Sequence, residues 1–160
     1  MLIALLPIIL IESLVITREM TLSIRETIIP CSIANAVSTI AGFPLAWGLL
    51  LGLELLTTGG SCGPGFETLT SSIITVVLES AWLCPWEGQL HWMIPVAFIN
   101  CLMVAFFVSV LTEYLVMKKM FAGREPSALK KVAYKANIVS YSLLVILNIA
   151  YLGFVIVGKS

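Results

Sequence analysis

Long apolar runs fill the chain, and short polar links separate them. Five runs stand out, at 2–17, 28–56, 66–83, 90–117 and 132–157. A helix needs about 20 apolar residues to cross a bilayer core. The first run falls short of that unless Thr17 to Met20 extends it. The second exceeds it, so it is tilted or broken. Gly42-Phe43-Pro44 is the break point expected, because proline removes an internal donor and clashes with the preceding turn. The pattern predicts an all-α fold: a polytopic integral membrane helical bundle of five transmembrane helices, forming one domain over 1–160.

The links differ in kind. Residues 17–27 mix Arg18-Glu19 with Arg25-Glu26, whereas 57–65, TTGGSCGPG, is uncharged and glycine-rich. Residues 84–89, CPWEGQ, lie among Trp82, Trp86 and Trp92, a pattern typical of a membrane interface. Residues 118–131 are the most basic, with Lys118, Lys119, Arg124, Lys130 and Lys131. That excess places 118–131 in the cytoplasm. With five crossings, CPWEGQ is outside, TTGGSCGPG inside and the Arg18–Glu26 link outside. The N-terminus is then inside and the C-terminus outside. Two consequences expose this topology to test. Arg18 and Arg25 must remain outside, and Cys62 and Cys84 fall on opposite faces, so a disulfide between them would break it. A re-entrant hairpin at 42–44 would change the parity and move the Arg18–Glu26 link inside.

Composition supports the membrane reading. Of 160 residues, 59% are hydrophobic and 11% charged, against about 25% charged in ordinary domains. A soluble chain this small has too much surface to hide so many apolar side chains. A large soluble domain is excluded, and no basic face suited to nucleic acid is present. Membrane lipid is the expected surrounding, in a cell or inner membrane. The apolar N-terminal run lacks a basic leader and a small-residue cleavage site, so it reads as a retained helix.

A weak internal repeat crosses the links. LIESLVITRE (10–19) parallels VLTEYLVMKK (110–119). The first continues to Ala34-Asn35 and Ser38, the second to Ala136-Asn137 and Ser140. Glu12 precedes Asn35 by 23 residues, and Glu113 precedes Asn137 by 24. With a single helix between the two pairs, the repeat is expected to have inverted topology.

Polar residues inside apolar runs supply the candidate chemistry. Glu12, Glu79 and Glu113 are candidate ion or proton sites, since an acid at membrane depth is paired, protonated or hydrated. For Glu12 and Glu113 the competing reading is anchoring at the interface, beside Arg18 and Lys118. Thr68, Ser72, Thr75 and Glu79 step along one face of the third run, either as helix packing or as a polar track. Asn35, Asn100, Asn137, Tyr141 and Asn148 are expected to contact other helices or a partner, because a lone amide in hydrocarbon is costly. Asn137, Tyr141, Asn148 and Tyr151 share one face, and Asn100 is expected opposite Asn35 or Asn137. Ser38, Gly42 and Ala46 form a ladder of small residues that lets two helices approach closely.

Metal and catalytic chemistry is thin. His91 is the only histidine. It reads as an interfacial polar residue or as one axial ligand of a haem or chlorophyll completed by a partner chain. Cys31, Cys62, Cys84 and Cys101 form no CxxC, and Cys31 and Cys101 read as small apolar residues. There is no GxSxG, no phosphate loop and no aspartate. The expectation is a non-enzyme, an accessory or scaffold subunit of a larger membrane complex, with other transmembrane subunits or further copies as partners. The alternative is a small ion-coupled or solute transporter or channel using its intramembrane Glu and Asn residues.

Overall fold

The computed structural model describes residues 2–157, with side chains from residue 5 onward. Five helices follow one another: α1 (Leu2–Met20), α2 (Ile24–Thr58), α3 (Leu69–Leu78), α4 (Leu90–Met120) and α5 (Pro126–Val157). The all-helical bundle with long apolar helices is as expected, but five spans are not present. Among the described residues, three helices are long and apolar enough to cross a membrane: α2, α4 and α5. Helix α1 has only 19 residues, so any 18-residue stretch of it holds Glu12, Arg18 and Glu19, whereas the other three each offer such a stretch with at most two charges. Helix α3 has only ten residues. Its run was expected over 66–83. Instead Thr68 caps it through a reciprocal bond with Ser71, and Glu79 ends it.

Local chemistry explains the helix ends. Before α2, the Ser23 backbone N–H and hydroxyl both donate to Glu26 Oε2, at 2.8 and 2.7 Å. Gly123, at φ 97°, turns the chain ahead of α5, which begins on Pro126. Helix α2 runs unbroken through Gly42-Phe43-Pro44, so no re-entrant hairpin forms there. The expected break point coincides instead with a boundary between two compact units. The first comprises residues up to Phe43 together with Ala105–Leu144; the second comprises Pro44–Val104 together with the chain from Val145.

Burial is the reverse of that in a soluble bundle. Leu6, Ile40, Phe107 and Phe154 are each at least 70% exposed, while Glu12, Asn35, Glu113, Asn137 and Ser140 are buried. Water would penalise that surface, whereas lipid accommodates it. A membrane location follows from the long apolar helices.

The first unit is a duplicated helical hairpin. On α2, the buried positions Thr27, Pro30, Cys31, Ala34, Asn35 and Ser38 recur 102 residues later on α5, as Leu129, Val132, Ala133, Ala136, Asn137 and Ser140. On α1, Glu12 and Ile16 recur 101 residues later on α4, as Glu113 and Met117. Contacts fix the helix directions. Ser38 meets Glu113 while Gly42 meets Val108, so α2 and α4 are antiparallel. Ser140 meets Glu12 while Lys135 meets Glu19, so α1 and α5 are antiparallel. The three-residue link makes α1 and α2 antiparallel as well. Hence α1 parallels α4 and α2 parallels α5. The repeat is real but parallel. The inverted arrangement depended on the third run being a crossing, and α3 is too short for one. An apolar cluster of Ile16, Met20, Cys31, Met117, Leu129, Val132, Ala133 and Ala136 fills the link end of this unit.

The second unit is organised by the segment between α2 and α4. Val76, Met93 and Ala97 are buried there against Phe66, Trp86 and Trp92. Phe66 meets both indoles edge to face, with centroids 5.0 and 5.7 Å apart. Trp47 Nε1 donates to the Ala81 carbonyl at 3.0 Å.

Candidate functional site

In the first unit the repeated residues form a closed ring of polar side chains. Asn35 Nδ2 donates to Glu12 Oε2 at 2.5 Å, and Asn137 Nδ2 donates to Glu113 Oε2 at 2.6 Å. The serines exchange partners between the hairpins. Ser140 Oγ donates to Glu12 Oε1 at 2.6 Å, and Ser38 Oγ donates to Glu113 Oε1 at 3.1 Å. Every carboxyl oxygen therefore has at least one side-chain partner. Asn35 and Ser38 lie one turn apart on α2, as do Asn137 and Ser140 on α5, which closes the ring Glu12–Asn35–Ser38–Glu113–Asn137–Ser140. Each serine is also within reach of the carbonyl three residues before it, Asn35 at 3.1 Å and Asn137 at 3.2 Å. A small hydroxyl rotation thus exchanges a carboxyl acceptor for a backbone one.

This ring overturns the interfacial-anchor reading of Glu12 and Glu113. Both are buried, 1% and 4% exposed, and their bonding partners are amides and hydroxyls rather than Arg18 or Lys118. Among the described residues the one ion pair is Lys135–Glu19, 2.9 Å apart and exposed. The two carboxyls are near enough to interact electrostatically. Asn137 is fully buried, yet its Oδ1 has no hydrogen-bond partner, and neither does the buried Ser13 Oγ beside Glu12. Cys31, a free thiol, lies 3.9 Å from Glu12 Oε2 and 3.6 Å from the Ile9 carbonyl.

The third candidate, Glu79, belongs to different chemistry. It caps the end of α3 and is fully buried in the second unit. Its carboxyl accepts from Gly63 N–H (2.6 Å), Cys84 N–H (3.1 Å) and Trp86 Nε1 (3.0 Å). Cys62 and Cys84 are joined in a disulfide, the bond that five plain crossings forbid. That topology is therefore corrected: the segment from 59 to 89 folds back on itself. The stripe Thr68, Ser72, Thr75 and Glu79 serves the same local fold. Thr75 Oγ1 bridges the N–H and carbonyl of Gly65, both at 3.0 Å, and Ser72 bonds the Thr68 carbonyl at 2.8 Å. Gly63 sits at a close approach: a Cβ there would lie 3.0 Å from Thr75 Oγ1, 3.1 Å from Thr75 Cα and 3.2 Å from Glu79 Oε1, so a larger residue would have to displace these neighbours. The Cys62, Cys84 and Glu79 ligand atoms lie within 4.8 Å of one another. The sulfurs are bonded to each other and the carboxylate is occupied by N–H donors.

The remaining residues divide between the units. Gly42 packs on α4, its Cβ position 3.6 Å from Val108 Cγ1, and Ala46 is buried in the second unit. Asn100 Nδ2 donates to Ser80 Oγ at 2.9 Å; its partner is neither Asn35 nor Asn137, contrary to expectation. Asn148 Nδ2 donates to the Pro95 carbonyl at 2.7 Å, and Tyr141 shares a 2.8 Å bond with Ser109. Tyr151 does not join that face, being 57% exposed. His91 lies in the first turn of α4 with Nδ1 buried and unpartnered.

The fold and the ring together define a helical bundle of membrane type with a buried pair of carboxyls. No protein-family model, curated protein or solved structure matches the chain.

Proposed function

We propose that the protein is a small ion-coupled membrane transporter whose charge-bearing groups are Glu12 and Glu113. The observation that carries this reading is the ring itself: two buried carboxyls held by neutral, reorientable donors, with no Lys or Arg bonded to them among the described residues. A charged side chain at the bilayer centre costs about 2.5–3.5 kcal/mol even on insertion scales. In a scaffold, amides and hydroxyls suffice to bond helices together without an ionisable group. A carrier needs groups that take up and release charge, and the parallel repeat is an architecture in which sites form where the halves meet.

In this reading four helices cross, with α1 alongside α2, α4 and α5. Its outward residues Leu6, Leu10 and Leu14 are 54–70% exposed, as lipid contact requires. The two ends of each crossing helix lie on opposite faces. Arg18 and Arg25 then join Lys118, Lys119, Arg124, Lys130, Lys131 and Lys135 on one face, the cytoplasmic one. The Cys62–Cys84 disulfide suits a compartment outside the cytoplasm, where thiols oxidise.

Reconstitution of the purified chain alone into liposomes tests the proposal. Cation or proton flux that Glu12→Gln abolishes is expected. A protein that shows no flux and co-purifies with other transmembrane chains would contradict it, and would support the accessory-subunit reading.

A further inference from the structure

We infer that Glu12 and Glu113 each carry a proton in this arrangement, and that the ion the protein couples to is the proton. The inference rests on the transport reading and specifies its ion.

Three observations lead to it. First, the ring is short of hydrogens. Each asparagine directs one amide hydrogen to its glutamate and the other to the carbonyl four residues back, Cys31 at 3.1 Å and Ala133 at 3.0 Å. Both amides are then fully used. Each serine has one hydrogen and two oxygens within reach: a carboxyl of the other hairpin and the carbonyl three residues back. If the carboxyls are ionised, both oxygens are acceptors and one contact of each serine lacks a hydrogen. A proton on Glu12 Oε1 and another on Glu113 Oε1 fill both gaps. Each acid O–H then donates to its serine, and the serine donates to the carbonyl. Second, Asn137 Oδ1 is a further buried acceptor without a donor. The ring therefore lacks hydrogens, not acceptors. Third, no positive charge faces the pair. From the four helices around them, the titratable groups facing each carboxyl are the other carboxyl, Cys31 on α2 and Tyr141 on α5, none of them a cation. Ionised carboxylates in a bundle interior need a partner charge, whereas neutral acids need only the contacts already present. Release is balanced by the same serines. The proton passes to water in a state open to solvent, and the hydroxyl turns from the carbonyl to the carboxylate left behind.

Infrared spectroscopy of the purified full-length protein in lipid at neutral pH tests this. A protonated carboxyl has a C=O stretch that a carboxylate lacks, and that stretch shifts in D2O. The wild type is expected to show the band, and Glu12→Gln and Glu113→Gln should each remove part of it. Ser38→Ala and Ser140→Ala keep both acids but take away the acceptor of each acid O–H. They should move the band to higher frequency, and they answer the question even if a glutamine variant does not fold. A wild type without the band, or a band that none of the four variants alters, would overturn protonation. Proton uptake into liposomes under an imposed pH gradient, with metal cations equal on both sides, tests the coupling. Uptake that Glu12→Gln abolishes is expected. Flux that follows a metal-cation gradient and ignores the pH gradient would overturn the proton as the ion and leave the transport reading standing. The band present and lost in the variants, with no flux of any ion, would instead overturn the transport reading and the coupling with it.

Discussion

Glu79 in the second unit and Glu12 with Glu113 in the first are the same residue type, all nearly fully buried, yet their partners differ. Glu79 accepts from two backbone N–H groups and an indole, beside a disulfide. Backbone donors cannot turn away without unfolding the segment that carries them. Glu12 and Glu113 accept from side-chain amides and hydroxyls, which rotate about single bonds while the helices stay in place. Burial of an acid is therefore not by itself a sign of function. The mobility of its donors separates a structural carboxylate from one that can exchange charge.

Removing Glu79 should produce the largest effect on stability. Glu79→Ala leaves Gly63 N–H, Cys84 N–H and Trp86 Nε1 without their acceptor, and each buried donor left unsatisfied costs about 1–3 kcal/mol. Thermal unfolding in detergent should show it, and a melting curve close to wild type would erase the contrast between the units. Gly63→Ala comes next. Its Cβ would press on Thr75 Cα, and overpacking costs about 1–3 kcal/mol. The same melt measures it, together with slower Cys62–Cys84 formation on a non-reducing gel. At Gly42 the added Cβ meets Val108 Cγ1 at 3.6 Å, an ordinary contact. Gly42→Ala should melt within a degree or two of wild type, while Gly42→Leu should lower the midpoint clearly. The smallest effect belongs to Lys135→Ala. It breaks an exposed pair of a kind worth about 0–1 kcal/mol, so a change beyond that range would show the link end of the first unit to be more tightly coupled than the exposed pair suggests.

Several features were legible in the chain, and the reason each was or was not is physical. Glu12, Asn35, Glu113 and Asn137 were visible as polar interruptions of apolar runs, and their spacings of 23 and 24 exposed the repeat. The exchange of Ser38 and Ser140 between hairpins was not visible, because it depends on how the hairpins pack rather than on helix period. The apolar run Phe66–Leu83 makes the repeat look inverted. That run has the length of a span, but Gly63, Thr75, Glu79 and the cysteine pair fold it locally. The available signal was the pair of cysteines bracketing a run rich in Gly and Ser/Thr, and cysteine spacing alone does not establish pairing. Thr68 and Glu79 looked like members of a membrane track because caps and tracks share the same three-to-four-residue spacing. Gly63 carried no signal, since its requirement comes from the close approach of Thr75.

The central claim is that charge transfer belongs to the duplicated ring and not to the capped loop. Flux per folded molecule, measured side by side in liposomes for wild type, Glu12→Gln, Glu113→Gln and Glu79→Gln, tests it most directly. The account predicts that the first two variants fold and lose flux together, while whatever fraction of Glu79→Gln folds retains wild-type flux. Flux that survives in Glu12→Gln and Glu113→Gln but disappears in folded Glu79→Gln would contradict it.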